Sequence, residues 1–276
     1  MFVTRFAPSP TGLLHLGHAF SALSAFDAAQ QAGGKFILRI EDIDVTRCRE
    51  EFEAAIYEDL AWLGLSWEHP VRRQSDHMID YKVALNRLIE TGVMYRCFKT
   101  RKDVMANSAH APHDPVLPFR GARLPVDEEA RNLRRGDAFA WRLSLDTCTA
   151  RLGNKWNTLA CDIDGAWTHV TPSLVGDVVI ARKEFSTSYH LASVWDDGLQ
   201  GITHVIRGED LADAPHVHVL LQALLGLSTP IYRHHRLIYD DDGKRLAKRN
   251  QAITLRAMRE AGTTPTDIRK ILGLIL

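Results

Sequence analysis

Apolar residues in the first ninety positions alternate between strand spacing and helix spacing. Two short apolar runs, Phe2–Phe6 and Lys35–Asp42, predict buried strands. Three stripes with steps of three and four residues predict amphipathic helices, and they span Leu16–Phe26, Phe52–Leu63 and Tyr81–Ile89. A glycine follows each stripe, as is typical where helices end. Because strands alternate with helices, the pattern predicts an α/β fold with a parallel sheet.

The pattern changes between about residue 97 and residue 165, where prolines become frequent. Here Glu128–Leu145 predicts a short helix and then a strand, and we interpret the region as an insertion at the sheet's edge. The α/β pattern resumes with strands at Asp177–Arg182 and His204–Leu211, a helix over Pro215–Leu225 and a final helix pair. The sequence thus predicts one α/β domain in two halves, 1–96 and 166–230, with an insertion between them at 97–165. A C-terminal part follows at 231–276.

Composition narrows the class of protein. The 276 residues suffice for one large domain with an insertion, and Lys+Arg and Asp+Glu both number 34. This balance excludes a histone-like nucleic-acid binder, although a local basic face stays open. The four cysteines form no CxxC pair, which favours a reducing compartment. Since no secretory signal and no stretch of transmembrane length stand out, we expect a soluble, cytoplasmic protein without membrane contact.

Two histidines, His15 and His18, stand where the loop after the first strand enters a helix. They are three residues apart, so their side chains share one face of the first turn. Helix N-termini favour phosphate groups, and Gly17 would let a flat ring approach the backbone. The alternative is two polar helix-start residues beside a packing glycine. Zinc is a weaker hypothesis because no third ligand stands at ligand spacing.

A basic segment late in the chain bears on the histidine pair. RLAKR, Arg245–Arg249, follows the acidic turn DDDG. A basic loop can neutralise the β- and γ-phosphates of a nucleotide as pyrophosphate leaves. Alone, such a run is usually a solvated face. Together with His15 and His18 it favours a nucleotide site.

Four segments resemble the signatures of one enzyme family: RFAPSPTGLLHLGH, RIEDID, VIRGEDL and RLAKR. They are similar to motifs of class I aminoacyl-tRNA synthetases, in the glutamyl branch, with HLGH in the place of HIGH and RLAKR in the place of KMSKS. The resemblance implies a Rossmann-like doubly wound parallel sheet with an inserted acceptor-binding-like subdomain, and ATP with Mg²⁺ as co-substrate. It implies catalytic roles for His15, His18 and Lys248, and ATP contacts from these three with Gly17 and Arg245. Ala247 replaces the KMSKS serine, so a hydroxyl contact from the loop is lost.

Charge logic separately favours glutamate. A dianionic amino acid needs cations for its carboxylates and an anion for its ammonium group, and Arg5, Arg207 and Glu41 stand at predicted strand ends. The resemblance adds Ser9 and Tyr189 to this pocket. Alternatively, Arg5 pairs with Glu41 and only holds the sheet edge. Which arginine takes which carboxylate stays open, and one hypothesis is that Arg207 selects glutamate over glutamine.

The short C-terminus favours one paralogous family. Full-length glutamyl-tRNA synthetases continue past KMSKS into an anticodon-binding region, whereas this chain ends at Leu276. It resembles the glutamyl-queuosine tRNA(Asp) synthetases, which lack an anticodon-binding domain and esterify glutamate to the queuosine of tRNA(Asp). Ser193 stands where full-length enzymes usually have Asn. Some members bind zinc through a CxC pair, but here Cys97 is kept and Lys99 stands in the place of the second cysteine, so we expect no zinc. We also expect a monomer.

Three alternative functions remain open at this point. The first is a conventional glutamyl-tRNA synthetase core that charges a tRNA 3′ end. The second is a glutamate-adenylating ligase that acts on a small acceptor. The third is a non-catalytic RNA-binding regulator, which the intact His15, His18 and Lys248 disfavour. Asp44 and Arg47 are equally compatible with RNA contact and with a local charge network that caps the next helix.

Overall fold

A computed structural model of the chain describes residues 1–100, 102–104, 118–182, 187–239 and 253–274. The first ninety residues form alternating strands and helices: β1 (Val3–Phe6), α1 (Leu16–Gln31), β2 (Lys35–Ile40), α2 (Glu50–Trp62), β3 (Glu68–Arg73) and α3 (Met78–Glu90). The three strands pair in parallel in the order β1-β2-β3. The predicted strands and helices are confirmed here, and β3 is an additional strand.

The middle of the chain forms an antiparallel sheet and a hairpin: β4 (Met94–Cys97), α4 (Val126–Arg135), β5 (Ala140–Leu143), α5 (Leu145–Leu152), β6 (Ala160–Ile163), β7 (Ala166–His169) and β8 (Val179–Arg182). The antiparallel sheet has the order β4-β5-β8. The strand expected at Asp177–Arg182 exists, but it does not resume the parallel sheet. Asp177 explains this placement, because its buried carboxylate accepts hydrogen bonds from Tyr95 Oη at 3.0 Å and from the Leu145 amide at 3.1 Å.

The last third returns to parallel pairing: α6 (Tyr189–Leu199), β9 (His204–Gly208), α7 (Pro215–Leu225), β10 (Ile231–His235), α8 (Leu255–Glu260) and α9 (Pro265–Leu272). Strand β10 lies parallel to both β9 and β6, and β7 completes the order β7-β6-β10-β9. Strand β9 lies beside β1, where the Thr203 amide donates to the Val3 carbonyl at 2.9 Å. The strand ends of β1 and β9 therefore meet at one edge.

Two apolar cores cover opposite faces of the parallel strands. One contains residues of α1, α2, α8 and α9, such as Leu23, Leu60 and Ile268. The other contains residues of α3, α6 and α7, such as Leu88 and Leu191. Helices on both faces of a parallel sheet define the doubly wound arrangement, so the predicted fold class is confirmed. Within the described ranges, no helix is long and apolar enough to span a membrane.

A buried carboxylate fixes the position of α6. Asp196 accepts hydrogen bonds from Arg72 Nε at 2.7 Å, Tyr81 Oη at 2.8 Å and Gln74 Nε2 at 2.9 Å. These donors come from β3, from α3 and from the turn between them. Since a buried charge requires such partners, Asp196 locks α6 onto the sheet and so places Tyr189 at its first turn.

Candidate active site

A cavity of about 490 Å³ opens where the carboxyl ends of β1, β2 and β9 meet. Ligands bind at this edge in open α/β folds. The cavity brings together eight residues that the sequence predicted, namely Arg5, Ser9, His15, Gly17, His18, Glu41, Tyr189 and Arg207. The other two predicted residues, Arg245 and Lys248, lie outside the described residues.

The side chains of His15 and His18 both accept hydrogen bonds from backbone amides at the N-terminus of α1. His15 Nδ1 accepts from the Gly17 amide at 3.1 Å, and His18 Nδ1 accepts from the His15 amide at 3.2 Å. A nitrogen that accepts cannot carry the proton, so the proton of each neutral ring lies on Nε2. Capping and phosphate binding are therefore compatible roles, because Nδ1 serves the helix and Nε2 is a donor.

Gly17 permits this close arrangement of rings. A Cβ at residue 17 would lie 3.0 Å from His15 Cε1 and 3.1 Å from His15 Nδ1. The absence of a Cβ at Gly17 therefore leaves room for the imidazole ring of His15. The two imidazole centroids of His15 and His18 lie only 3.9 Å apart.

Arg5 does not pair with Glu41 as the alternative hypothesis expected. Arg5 Nε donates to Asp197 Oδ1 at 3.2 Å, and Arg39 Nη1 donates to the same oxygen at 2.8 Å. Glu41 instead forms its ion pair with Arg39, whose Nη2 lies 3.2 Å from Glu41 Oε1. Buried Arg39 thus connects three carboxylates, those of Glu41, Asp196 and Asp197, and Asp197 connects Arg5 to this network.

Glu41 occupies an environment that disfavours its charge. Burial raises the pKa of Glu41 above its ordinary value, although Arg39 and Arg5 act in the opposite direction. Its side chain lines the cavity close to Ser9 and Tyr189. A cation placed in the cavity would lower the pKa again, so Glu41 favours a positively charged ligand group.

Arg207 is a buried cation held by aromatic and imidazole groups. Its Nη1 donates to Tyr189 Oη at 3.4 Å, its Nε donates to His234 Nε2 at 3.4 Å, and its guanidinium carbon lies 5.1 Å from the Tyr232 ring centroid. The residue is 5% exposed. Among the described residues, no carboxylate pairs with it and its buried Nη2 has no hydrogen-bond partner. The site therefore lacks a counter-ion that an anionic ligand could supply.

A histidine pair borders the pocket beneath Tyr189. His190 Nδ1 lies 3.2 Å from His218 Nε2, and the Tyr189 ring contacts both imidazoles. Burial, with a contribution from Arg207, lowers the pKa of His190 to about 4. The same causes hold the pKa of His218 well below its ordinary value. Both rings are therefore neutral at pH 7 and leave the arginines as the local cations.

A second cavity, of about 380 Å³, adjoins the first. The two share Ser9, Thr11, Glu41 and Tyr189 as lining residues. Its outer part is lined by Asp44, Arg47, Cys48 and Arg182. Arg47 Nε lies 2.7 Å from Asp44 Oδ2, so the two side chains form the local ion pair that one of the two hypotheses expected. The side chain of the N-cap residue Arg49 makes no capping hydrogen bond to α2.

The described part of the chain contains no group of three or more His, Cys, Asp or Glu side chains arranged to hold a metal ion. Cys97 lies buried on β4, where its backbone pairs with Ala140 of β5. The absence of zinc stays a prediction.

Sequence reasoning missed Asp197, which orients Arg5, and it missed His235 and Arg236, which line the first cavity. A signal existed for Asp197. Two adjacent aspartates, Asp196 and Asp197, end the otherwise apolar stretch LASVW, and buried carboxylates need cationic partners. The tandem His234-His235 lies on a strand that the sequence analysis did not identify.

The family model described as "tRNA synthetases class I (E and Q), catalytic domain" matches residues 1–275. The chain belongs to this family. Class I synthetases of this kind are ligases, and the chain is a class I aminoacyl-tRNA synthetase-like enzyme. The family resemblance expected from the four sequence motifs is confirmed.

Two relatives indicate to which branch of the family the chain is similar. A protein named glutamyl-Q tRNA(Asp) synthetase from Rhodobacter capsulatus is 47% identical over 281 residues, which cover 99% of this chain and 100% of that protein. A protein of the same name from Symbiobacterium thermophilum is 39% identical, with 97% of this chain and 84% of that protein covered. The predicted branch of the class I family is therefore confirmed as well.

A solved class I structure shares the fold. Glutamate-tRNA synthetase from Elizabethkingia anophelis superimposes with a TM-score of 0.74 and 30% sequence identity. The superposition covers 90% of this chain and 52% of that protein, so the chain spans about half the length of that synthetase.

Proposed function

We propose that the chain activates L-glutamate with ATP and then transfers it to the queuosine base at the wobble position of tRNA(Asp). The activation step is supported by one cavity that holds two buried arginines, a glutamate whose side chain is 10% exposed and a helix N-terminus with two histidines. The acceptor is supported by the names of the relatives from R. capsulatus and S. thermophilum.

The observation that carries the amino-acid assignment is the buried, unneutralised guanidinium of Arg207. A desolvated cation is costly unless a charged partner compensates it, and no carboxylate among the described residues does so. Glutamate brings two carboxylates, one for Arg207 and one for Arg5. Its ammonium group would lie at Glu41, where a cation would offset the burial that raises the pKa of this carboxyl above its ordinary value. Ser9 and Tyr189 line the same space and complete the pocket.

ATP fits the other end of the cavity. The α1 N-terminus presents backbone dipoles, and the Nε2–H groups of His15 and His18 are donors suited to phosphate oxygens. Lys248 and Arg245 would follow the β- and γ-phosphates outward. Mg²⁺ bound with the nucleotide would share the phosphate charge.

Activation requires no covalent enzyme intermediate. The glutamate α-carboxylate attacks the α-phosphorus in line, its new P–O bond forms, and the bond to pyrophosphate breaks. The residues act by positioning and by stabilising charge. In the second step a hydroxyl of the queuosine cyclopentenediol attacks the activated carbonyl, and AMP leaves. The second cavity, with Asp44 and Arg47 at its outer part, offers the acceptor a route to that carbonyl.

Glutamate-dependent exchange of pyrophosphate into ATP tests the activation step. We expect exchange with the protein alone, because all the groups assigned to adenylation belong to this chain. Glutamine and aspartate serve as substrate controls. His18→Ala should abolish most exchange, whereas His169→Ala, a change at an exposed histidine of β7, should leave it unchanged. Exchange that starts only after tRNA is added would contradict the proposal.

A further inference from the structure

Arg207 and His234 are cross-strand neighbours in the parallel pair β9–β10. Arg207 Nε donates to His234 Nε2 at 3.4 Å, while Nη1 donates to Tyr189 and the guanidinium rests on the Tyr232 ring. These contacts occupy Nε, one proton of Nη1 and one face of the group. The edge formed by Nη1 and Nη2 is the edge that can bind a carboxylate with two hydrogen bonds.

The orientation of Arg207 depends on one tautomer of His234. Arg207 Nε–H can only donate, so His234 Nε2 must carry a lone pair. The other ring nitrogen, Nδ1, lies 3.0 Å from Asp164 Oδ2. An ionised carboxylate can only accept, so the proton of the neutral ring lies on Nδ1. The His234 side chain is 3% exposed, so its ring is shielded from water, whereas the Asp164 side chain is 48% exposed.

Asp164 lies in a turn that matches both of its tasks. Asp164 and Gly165 form the two-residue connection between β6 and β7, with φ of +53° and +91°. Such a turn favours Asn or Asp followed by Gly. Asp164 Oδ1 accepts from the His234 amide at 2.6 Å, while Oδ2 faces the His234 ring. Asn would satisfy the turn equally well, so the turn does not account for the carboxylate.

We propose that Asp164 and His234 are positioning residues that hold the Nη1–Nη2 edge of Arg207 toward the substrate carboxylate. The inference rests on the proposed function, in which Arg207 binds glutamate. Asp164 fixes the His234 tautomer, and His234 fixes Arg207 by accepting from Nε. Neither residue touches the substrate, and neither lines the first cavity.

A purely structural role would be to anchor the β6–β7 hairpin to β10, and the structure offers a matched control for it. Asp162, two residues before Asp164, forms a double hydrogen bond with Arg233, at 2.6 and 3.1 Å. Arg233 precedes His234 on β10, so this ion pair anchors the same hairpin to the same strand. It makes no contact with Arg207.

Four variants separate the two roles in the pyrophosphate-exchange assay with full-length protein. Asp164→Asn keeps the turn, but its amide presents a donor to His234 Nδ1 and so places a proton on Nε2, facing Arg207 Nε–H. His234→Leu removes the acceptor, and His234→Gln restores one near the position of Nε2. Asp162→Asn weakens the ion pair with Arg233, and its amide oxygen can still accept from the Gly165 amide, which donates to Asp162 Oδ1 at 2.9 Å.

We expect Asp164→Asn and His234→Leu to raise the KM for glutamate roughly ten-fold or more, as loss of an outer partner does for metal ligands. The KM for ATP should stay within about two-fold, and His234→Gln should recover most of the loss. Asp162→Asn should leave the glutamate KM unchanged even if it lowers Tm. Unchanged glutamate KM in Asp164→Asn and His234→Leu, or an equal rise in Asp162→Asn, would overturn the inference. Absence of exchange in the unmodified protein would instead refute the proposed function.

Discussion

Asp197 Oδ1 accepts hydrogen bonds from Arg5 Nε at 3.2 Å and from Arg39 Nη1 at 2.8 Å, and all three side chains are buried. Although burial alone would raise it, Arg5 and Arg39 lower the pKa of Asp197 below its ordinary value. One carboxylate therefore stabilises two guanidinium groups, of which Arg5 lines the cavity and Arg39 holds Glu41.

Asp197→Asn removes this shared negative charge without changing the size of the side chain. We expect it to lower the free energy of unfolding by about 3–5 kcal/mol, the usual cost of leaving buried charges without a partner. It should also raise the glutamate KM, because Arg5 loses the group that orients it. Urea unfolding and pyrophosphate exchange measure the two effects.

Asp196→Asn is the matched control. Asp196 is equally buried, but its hydrogen bonds go to Arg72, Gln74 and Tyr81. It reaches Arg39 only through a longer ion pair of 3.8 Å and does not contact Arg5. The variant should destabilise the protein and leave the glutamate KM nearly unchanged. If the two variants raised the glutamate KM alike, general destabilisation rather than Arg5 orientation would be the cause.

The His190–His218 pair predicts a loss of stability in mild acid. The pKa of His190 is about 4 in the folded protein, against an ordinary value of 6.5 in the unfolded chain. Between these values the unfolded chain binds more protons, so stability falls as the pH falls from 6.5 toward 4. The titration of His190 alone should lower the free energy of unfolding by about 2 kcal/mol at pH 5 relative to neutral pH.

Urea midpoints at about pH 7.5 and about pH 5 test this linkage. His190→Asn can keep a hydrogen bond to His218 but cannot titrate, so it should lose that part of the pH dependence. His169→Asn, at an exposed position on β7, should behave as the unmodified protein does. An unaltered pH dependence in His190→Asn would show that His190 is not responsible.

Arg207→Gln and Arg5→Gln test which arginine selects glutamate over glutamine. Arg5 already has Asp197 as a partner, whereas Arg207 has no carboxylate partner among the described residues. Glutamine offers an amide whose hydrogens a guanidinium cannot accept, which leaves a desolvated cation. We expect Arg207→Gln to reduce glutamate activation and to narrow the glutamate-to-glutamine ratio of kcat/KM. Arg5→Gln should slow both substrates alike, and the opposite pattern would mean that the two arginines have exchanged roles.

Lys248→Ala should slow adenylate formation far more than it weakens glutamate binding. Lys248 is expected to stabilise the negative charge that develops on the leaving phosphates. By analogy with one oxyanion donor, this stabilisation of the transition state amounts to roughly 2.7–4 kcal/mol. Rates of pyrophosphate exchange and the glutamate KM separate the two effects. If the exchange rates stay unchanged, Arg245 or Arg249 must be the working cation.

The sequence predicted the elements whose apolar period is regular and whose ends carry glycine. Helix α7 has the predicted bounds, Pro215–Leu225, and Gly226 follows it with φ of +70°. Strand β3 was missed, because Glu68–Arg73 is an edge strand with exposed polar residues and a proline, which gives no alternating pattern. The sheet to which β8 belongs depends on contacts of Asp177 with distant residues, and no local pattern encodes them.

The candidate site was predictable where residue type and family motif coincide. His15, Glu41 and Arg207 were located from strand ends and motifs, and all line the first cavity. The partners that orient them were not predictable, because they come from distant parts of the chain. Asp197 reaches Arg5 across 192 residues, and Asp164 reaches His234 across 70. Such pairings depend on the tertiary fold and not on spacing along the chain.

Charging of tRNA(Asp) with labelled glutamate tests whether the chain transfers glutamate to queuosine. Queuosine-modified and unmodified tRNA(Asp) are compared in the presence of ATP, and periodate treatment of the 3′ end before queuosine incorporation blocks the ordinary acceptor. We predict that label enters the modified tRNA whether or not its 3′ end is blocked, and that unmodified tRNA(Asp) stays unlabelled. Label on a tRNA without queuosine, lost when its 3′ end is blocked, would rule out transfer to queuosine and identify a conventional synthetase core.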